Sequence, residues 1–455
     1  MSPYVALLPE FLLLAGALIA LFGELLPGGK GSPAYLGAAL SFFAAVLSPA
    51  AAGSFFAGAL AYDGRTDFAR AAIAALTGVY LLWLGARGPG SGRTREAASL
   101  AMFSALGGML LVGANDLVTL YISLELSTMP AYVLIGFARK NARGLEGALK
   151  YFLLALLTSL VMAYGLSLLY GFSGTTSLEE LTLANAGLTG TFVAIFVAVG
   201  FLAKLSAAPF HYWTPDAYEG ATPAAVAFVS SVPKVAGLVA LVRLLGAFST
   251  GVAGLAEALW VAAAFSMLLG NLGAFPQTDI RRLMAYSGIA HTGYLLMGLA
   301  AGTEVGAAAA VFYAAAYALP SMAVMLVSAE HGTSFTELAG LASRRPLAAW
   351  GLVVFFLSLV GIPPAIGFFG KLYLFGGALG AGQTGLVVLA VLVSVASLGY
   401  YFRVVREVFF AEPEITPVAP ERSLVADAVL LVCLAVTLLA GLAVSPVLDM
   451  IGLAL

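Results

Sequence analysis

The segment Phe201-Leu-Ala-Lys-Leu-Ser-Ala-Ala-Pro-Phe-His211 places a lysine, a proline and a histidine within an apolar run that is long enough to cross a bilayer. A charge at the centre of a membrane costs at least about 3 kcal/mol, so an ionisable residue at that depth usually faces a protein interior or a water-filled path. Pro209 lacks a backbone N–H and should kink or break the helix that carries Lys204. Broken membrane helices are tolerated where they pack within protein or line a water cavity. The segment therefore predicts a helical membrane protein with an interruption at a functional position.

Three further ionisable residues lie in similar apolar surroundings. Glu125 lies among hydroxyl side chains that could hydrate it, in Tyr121-Ile-Ser-Leu-Glu-Leu-Ser-Thr-Met-Pro130. Lys234 follows a proline in Ser230-Ser-Val-Pro-Lys234, and Lys371 ends Gly361-Ile-Pro-Pro-Ala-Ile-Gly-Phe-Phe-Gly-Lys371. One acid and three amines on four separate helices favour a charge-conducting route through the membrane. For Glu125, a structural ion pair that pins two helices together is the alternative.

The composition supports a polytopic membrane protein. Of the 455 residues, 61% are hydrophobic and only 10% are charged, whereas soluble domains average about 25% charged residues. The start of the chain lacks the positive region of a cleaved signal peptide, so we expect the first apolar run to be a retained span. The net charge of −2 says nothing about nucleic acid, and no basic run suggests it as a partner. Cys433 is the only cysteine, which excludes an internal disulfide.

Apolar runs of about 20 residues indicate about fourteen transmembrane helices. They lie near 4–26, 34–52, 67–86, 97–114, 116–137, 145–171, 190–211, 222–247, 255–276, 283–301, 305–329, 348–376, 384–410 and 425–450. With alternating spans, nearly all Lys and Arg outside them fall on one side, and only Arg65 and Arg70 fall on the other. The positive-inside rule makes the rich side cytoplasmic and predicts both termini on the outer side.

The two proline-interrupted helices suggest an internal repeat. Pro209 in one half, and Pro363 with Pro364 in the other, each lie near a lysine. Interrupted helices at corresponding places indicate an inverted-repeat transporter. We therefore predict an all-α polytopic fold with two inverted five-helix repeats, each containing a broken helix. The predicted divisions are 1–96 (helices one to three), 97–250 (first repeat, helices four to eight), 251–412 (second repeat, helices nine to thirteen) and 413–455 (helix fourteen).

Lys150, His211 and His291 are supporting candidates. Lys150 follows Glu146 by one turn, so it is either an i,i+4 ion pair near the cytoplasmic end or an entry residue. His211 lies seven residues after Lys204, about 10.5 Å along a helix axis, which suits a water-bridged relay; the alternative is an ordinary interfacial histidine. His291 has hydroxyl neighbours and could bridge helices through water, or be a satisfied core residue. Glu10, near the end of the first span, is assigned no role.

The sequence contains no pattern for a redox or nucleotide cofactor. It has no Gly-rich phosphate loop in a βαβ setting, no cysteine cluster and no histidine pair at metal spacing. We therefore expect no cofactor or metal on this chain, and its energy source to lie elsewhere.

At these residues the chain resembles the antiporter-like subunits of respiratory complex I, and among them subunit N of bacterial NADH-quinone oxidoreductase. The matching strings are Asn115-Asp-Leu-Val-Thr-Leu-Tyr-Ile-Ser-Leu-Glu125, Gly147-Ala-Leu-Lys-Tyr-Phe152, Ala208-Pro-Phe-His-Tyr-Trp-Thr-Pro-Asp216, Arg281-Arg-Leu-Met-Ala-Tyr-Ser-Gly-Ile-Ala-His291 and Gly361-Ile-Pro-Pro through Lys371. A lysine at 371, where the M-type subunit is expected to carry glutamate, favours the N or L type. The chain stops soon after the fourteenth span, so we expect it to lack the long lateral helix of the L type, which leaves the N type. Subunits of multi-subunit Na⁺/H⁺ antiporters and of membrane-bound hydrogenases share these motifs and remain alternatives.

The resemblance implies a role for each matched residue. Glu125 would pair with Lys204, the central proton carrier of a cytoplasmic half-channel. Lys234 would connect to Lys371, which would pass protons outward. Lys150, His211 and His291 would support the hydrated path.

The resemblance also implies a location and partners. The chain would lie in the bacterial inner membrane, beside M-like and K/J-like subunits and the lateral helix of an L-like subunit. NADH, FMN, iron–sulfur clusters and quinone would belong to the whole complex. Three function classes follow: a proton-translocating subunit of a redox-driven complex, a subunit of a secondary cation/proton antiporter, and a scaffold with buried ion pairs.

Overall fold

The structure is a computed structural model. It describes residues 2–23, 31–50, 52–89, 93–138, 142–181, 183, 187–248, 252, 254–412, 421–442 and 445–452. The predicted division at 250–251 and the start of the last division at 413 lie outside these residues.

The described chain is almost entirely helical. The first seven helices are α1 (Pro3–Ala6), α2 (Leu8–Leu21), α3 (Ser32–Leu47), α4 (Gly64–Arg87), α5 (Thr94–Gly113), α6 (Leu117–Ile135) and α7 (Ala142–Ser173). The next seven are α8 (Gly187–Lys204), α9 (Trp213–Gly220), α10 (Pro223–Val229), α11 (Val232–Ala247), α12 (Leu255–Ala274), α13 (Ile280–Ala300) and α14 (Glu304–His331). The last seven are α15 (Phe335–Leu338), α16 (Leu341–Arg344), α17 (Pro346–Val360), α18 (Ile366–Gly380), α19 (Thr384–Phe410), α20 (Leu424–Leu442) and α21 (Ser445–Met450). Between α3 and α4, strands β1 (Gly53–Phe55) and β2 (Leu60–Tyr62) form an antiparallel hairpin with Ser54 opposite Ala61.

The helices confirm a multi-span membrane protein. Within the described residues, ten helical segments are long and apolar enough to cross a membrane, one of them being α10 and α11 together. The number rises to eleven if the segment 335–344 and α17, which meet at 118°, are counted as one span. Each predicted span overlaps one helix or two consecutive helices. The lower number arises partly because α2, α3 and α18 are apolar but shorter than a full crossing.

Local sequence explains where several long helices begin. The Asp63 carboxylate accepts a hydrogen bond from the Thr66 amide, and the Thr66 hydroxyl accepts one from the Asp63 amide, which forms a capping box at α4. The side chains of Asp116, Asp279 and Thr303 accept hydrogen bonds from amide groups in the first turns of α6, α13 and α14. Such side chains satisfy amide groups that have no partner within the first helical turn.

Two glycines let α12 and α13 pack closely. A Cβ added at Gly270 of α12 would lie 2.4 Å from the Ala290 amide nitrogen, and one at Gly293 of α13 would lie 2.7 Å from the Ala263 carbonyl oxygen. Small residues at an interface bring helix backbones together, which drives packing where lipid offers no hydrophobic advantage. This contact holds α13, the helix of His291, in a fixed place.

Both predicted interruptions are present. After α8 ends at Lys204, the chain is not helical until α9 begins at Trp213, and Ser206 has a left-handed φ of 65°. The second break lies between Val360 and Ile366, with Gly361 at φ 92°. The first helix ends five residues before Pro209, so the expected spacing of Lys204 and His211 along one helix face is wrong.

Arg70, one of the two basic residues expected on the outer side, is buried in an ion pair. Arg70 is fully buried within α4, and its Nη2 atom lies 2.8 Å from Glu10 Oε2, while its Nε donates to Oε1 at 2.8 Å. Asp67 lies 3.4 Å from the same guanidinium, and the Tyr62 ring lies 4.0 Å from its central carbon. An internal ion pair compensates the buried charge, so Arg70 says nothing about sidedness. Glu10, which had no expected role, joins the first helices to α4.

Candidate functional site

Glu125 and Lys204 form a buried ion pair. Lys204 Nζ lies 3.5 Å from Glu125 Oε1, and the two side chains are 3% and 16% exposed. The ammonium also donates to the Tyr132 hydroxyl. Ser159 of α7 donates to Glu125 Oε1 at 2.6 Å, so the hydroxyl partner comes from a neighbouring helix rather than from the Ser and Thr residues close to Glu125 in sequence. The pair that both readings of Glu125 anticipated is therefore present, joining α6 to α8.

The broken helix explains why Lys204 can be accommodated. It is the last residue of α8, where unpaired carbonyl groups and the helix dipole favour a cation. Other helices satisfy the backbone of the break. Trp213 Nε1 donates to the Ala203 carbonyl at 3.0 Å, and Thr292 Oγ1 donates to the Leu205 carbonyl at 2.6 Å. The interruption is thus packed inside protein, as a non-helical segment at membrane depth requires.

His211 lies in the break itself. Its ring stacks on Tyr212 with centroids 4.5 Å apart, and its Nδ1 is buried without a hydrogen-bond partner among the described residues. The following Trp213 stacks on Tyr151 at 3.8 Å, and Tyr151 contacts Tyr132 edge-on at 4.5 Å. Aromatic rings therefore connect the break to the hydroxyl that binds Lys204.

Lys234 lies in the first turn of α11 and is buried. Its Nζ has no hydrogen-bond partner within the described part of the chain. The Nζ atom lies 5.9 Å from the centroid of the Tyr317 ring. A Cβ added at Gly288 would lie 2.8 Å from Lys234 Nζ and 3.0 Å from the Tyr317 hydroxyl. The absent side chain of Gly288 thus leaves the space in which the ammonium and the hydroxyl converge.

His291 is at the centre of a cluster of tyrosines. Its Nδ1 lies 2.6 Å from the Tyr313 hydroxyl. Its ring centroid lies 4.6 Å from that of Tyr317 and 5.4 Å from that of Tyr294. A satisfied core histidine was one expectation, and the Tyr313 hydrogen bond fits it. The imidazole thus lies between the Tyr317 ring, which Lys234 faces, and the Tyr294 ring, which Lys371 faces.

Lys371 is buried on α18, after the second break. Its Nζ donates to the Val360 carbonyl at 2.8 Å and to Ser394 Oγ at 2.6 Å. The same ammonium lies 4.7 Å from the centre of the Tyr294 ring. Val360 is the last residue of α17, so the break supplies the carbonyl that the cation needs.

Lys150 lies apart from these buried groups. It is 48% exposed and pairs with Glu146 at 2.8 Å, as the i,i+4 alternative anticipated, and with Asp216 at 2.7 Å. Arg282 binds Asp216 at 3.0 Å and Glu219 at 2.6 Å, which joins α7 and α9 to α13. Burial raises the pKa of Asp216, but hydrogen bonds from Lys150 and Arg282 outweigh it and hold that pKa below its ordinary value.

The structure thus brings the predicted residues into two buried groups. Glu125 and Lys204 form one, and the tyrosine cluster around His291 connects Lys234 and Lys371 in the other. Sequence reasoning missed the tyrosines, although Tyr313 and Tyr317 have the i,i+4 spacing of one helix face. Within the described ranges, no group of three His, Cys, Asp or Glu side chains could hold a metal ion.

Comparison with known proteins relates this arrangement to a family. Residues 114–397 match the family described as NADH:quinone oxidoreductase/Mrp antiporter, TM. NADH-quinone oxidoreductase subunit N 1 of Acidiphilium cryptum is 39% identical over 427 residues, which cover 90% of this chain and 89% of that protein. Subunit N of Methylobacterium nodulans is 38% identical over 437 residues, with 91% and 90% covered.

Solved structures share the fold. A chain of respiratory complex I from Thermus thermophilus with bound aureothin has a TM-score of 0.85 and 32% identity, covering 98% of this chain and 99% of that one. A chain of the Mrp complex from Dietzia sp. has a TM-score of 0.86 at 23% identity, covering 99% and 96%, which shows the fold alone. The length and identity of the matches to subunit N, beside the two broken helices and their lysines, show that this chain belongs to the NADH-quinone oxidoreductase subunit N family.

Proposed function

We propose that this chain is a membrane-arm subunit of a proton-pumping NADH:quinone oxidoreductase and that it moves protons without a redox centre of its own. The observation that carries the proposal is the buried Lys204–Glu125 pair at the end of a broken helix. An ion pair with a purely structural role would require only one buried acid and one buried base. Here two further buried amines, Lys234 and Lys371, have no carboxylate partner within 4 Å among the described residues.

The proton path begins, in this proposal, at Lys204. With Glu125 ionised at 3.5 Å, the ammonium is stabilised and holds its proton. When a charge in a neighbouring subunit draws Glu125 away, the ammonium loses its partner and releases the proton toward Lys234. Lys234 has no hydrogen-bond partner in the described structure, so it is suited to bind that proton transiently. His291 and its tyrosines connect it to Lys371, which releases the proton outward. Lys150 and His211 support entry from the cytoplasmic side.

The energy of one ion pair is large enough for this mechanism. Two unit charges about 4 Å apart interact by roughly 4 kcal/mol at an effective dielectric constant of 20. Moving one charge against about 150 mV costs roughly 3.5 kcal/mol, at about 2.3 kcal/mol per 100 mV. The energy of breaking and restoring one such ion pair is therefore about as large as the energy needed to move one proton across the membrane.

The finer architecture belongs to the same proposal. We place fourteen spans in the membrane, with helices four to eight in 97–250 and helices nine to thirteen in 251–412 as inverted repeats. The supporting feature is that a lysine-bearing helix adjoins each break: Lys204 ends α8 before the first break, and Lys371 lies on α18 after the second. Residues 1–96 and 413–455 supply the flanking helices. Both termini lie on the outer side of the bacterial inner membrane, as the distribution of Lys and Arg favours.

The proposed partners are those that the sequence resemblance implies. We place M-like and K/J-like subunits beside this chain and the lateral helix of an L-like subunit along it. NADH, FMN, the iron–sulfur clusters and quinone are held by other subunits. Electron transfer there drives the charge movement that Glu125 senses here.

A subunit of a Na⁺/H⁺ antiporter or of a membrane-bound hydrogenase is the alternative, and the description of the matching family names both NADH:quinone oxidoreductase and the Mrp antiporter. The two functions are separated by measuring acidification of inverted membrane vesicles from a strain that lacks this chain and from the same strain complemented with it. We expect complementation to restore acidification driven by NADH. Restoration of sodium-dependent proton exchange, with NADH-driven acidification unaffected by the deletion, would support the antiporter instead.

A further inference from the structure

Tyr313 contacts His291 through its hydroxyl and the helix of Lys371 through its ring. Its hydroxyl lies 2.6 Å from His291 Nδ1, deep within the helix bundle. Tyr294 and Tyr317 meet the imidazole through their rings, and the Tyr317 hydroxyl accepts a bond from Ser321 at 3.4 Å. Tyr313 is therefore the tyrosine whose hydroxyl orients His291.

The ring of Tyr313 rests against the helix that carries Lys371. A Cβ added at Gly370 would lie 2.5 Å from Tyr313 Cδ2, closer than real Cβ atoms approach. Gly370 directly precedes Lys371 on α18. The ring thus occupies space that only a glycine at 370 leaves open, and any shift of α18 at this point must move the ring or separate from it.

We propose that Tyr313 is a positioning residue that couples His291 to the Lys371 helix, through its hydroxyl at one end and its ring contact with Gly370 at the other. This inference rests on the proposed function, and it adds a mechanical link to the second half of the proton path. A movement of α18 that brings Lys371 toward or away from Ser394 and Val360 displaces the Tyr313 ring. Its hydroxyl then turns or releases the imidazole.

The hydrogen bond also depends on the protonation state of His291. A neutral imidazole with its proton on Nε2 accepts at Nδ1 from the hydroxyl, whereas the imidazolium donates from Nδ1 to the hydroxyl oxygen. Protonation therefore reverses the bond, and the hydroxyl hydrogen must turn elsewhere. The ionisable groups facing this site are the ammonium groups of Lys234 and Lys371 and the hydroxyls of Tyr294 and Tyr317. Both ammonium groups oppose a charge on His291, so the hydroxyl oxygen is the nearest group that stabilises it.

The test compares Tyr313→Phe, Gly370→Ala and the double variant in the assembled complex within inverted vesicles. We expect each single variant to lower NADH-driven proton pumping by roughly two- to tenfold, the range that corresponds to one hydrogen bond. In Tyr313→Phe the pH profile of pumping should shift toward acid, because the imidazolium loses the oxygen that accepts its Nδ1–H. The double variant should pump about as well as the poorer single variant, since both changes break one linkage.

Tyr80→Phe is the matched control, since Tyr80 is also buried but packs against Phe228 away from His291. It should pump as the native protein does, and a native gel checks that every variant assembles. Native pumping with a native pH profile in Tyr313→Phe would overturn the inference, and so would losses that multiply in the double variant. The proposed function is judged separately by Lys204→Met: if that variant loses pumping while Tyr313→Phe does not, only the positioning role fails.

Discussion

Lys371 donates a hydrogen bond to the carbonyl oxygen of Val360 across the break between α17 and α18, with 2.8 Å between the two atoms. The carbonyl is available because the helix ends there, so the interruption that weakens the span also provides the binding site for the cation. Ser394 of α19 contacts both partners, donating to the Val360 carbonyl at 2.9 Å and accepting from Lys371 at 2.6 Å. Three helix segments thus hold one ammonium in the membrane.

Replacing Ser394 by alanine removes one of the two acceptors of Lys371. Hydrogen bonds to charged groups are worth about 1.5–3 kcal/mol, so we expect NADH-driven pumping in vesicles to fall roughly tenfold or more. Ser397→Ala is the control on the same helix, because the Ser397 hydroxyl donates to the Ser394 carbonyl, at 2.6 Å, and to no lysine among the described residues. Equal pumping by the two variants would show that the Ser394 hydroxyl does not hold Lys371 in a working position.

Gly288→Ala tests the space occupied by Lys234. The new Cβ would lie 2.8 Å from Lys234 Nζ and 3.0 Å from the Tyr317 hydroxyl, so the ammonium must move from the position in which it faces His291 and its tyrosines. We expect pumping to fall while the complex still assembles. Gly246→Ala, on the helix of Lys234 but with no atom within 4 Å of an added Cβ, should leave pumping unchanged. A Gly288→Ala variant that pumps normally would place the path elsewhere.

The Glu10–Arg70 pair should matter for stability rather than for pumping. Glu10→Gln leaves the buried Arg70 guanidinium with only the more distant Asp67 carboxylate, at 3.4 Å, and removing a partner from a buried ion pair typically costs about 3–5 kcal/mol. We expect a lower thermal unfolding temperature of the purified subunit or complex. If Glu10→Gln were as stable as the native protein but pumped poorly, the pair would belong to the proton path instead.

Asp216 should make stability depend on pH on the acidic side. Its pKa lies below the ordinary value because Lys150 and Arg282 donate to it. A carboxylate with a lowered pKa in the folded state stabilises the protein above its unfolded pKa of about 4, and that contribution is lost as the pH falls through the folded pKa. In detergent, Asp216→Asn should be less stable than the native protein near neutral pH and should approach it at low pH. The exposed Glu257→Gln should show no such convergence.

The charged positions and breaks were predictable because their physics is local. A lysine in an apolar run is costly wherever it occurs, and a proline removes its hydrogen bond regardless of the tertiary fold. The site of the first break was less predictable. The helix ends at Lys204 rather than at Pro209, since Ser206 turns into a left-handed conformation and Trp213 and Thr292 bind the freed carbonyl groups.

The surroundings of His291 could not be read from sequence. Tyr294, Tyr313 and Tyr317 come from two helices, and their meeting depends on how α13, α14 and α18 pack. The same holds for Arg70, whose carboxylate partner Glu10 lies sixty residues earlier in the chain. Its position near a span end suggested a loop charge, whereas the tertiary contact buries it completely.

The most direct test of the central claim is NADH-driven acidification of inverted vesicles that contain Lys204→Met, with Arg406→Met as the control. Arg406 is 64% exposed and pairs with its neighbour Glu407, so its replacement removes a surface cation and leaves the buried amines in place. If Lys204 carries the proton, Lys204→Met assembles but loses the pH gradient, while Arg406→Met retains it. An undiminished gradient in Lys204→Met would contradict the account.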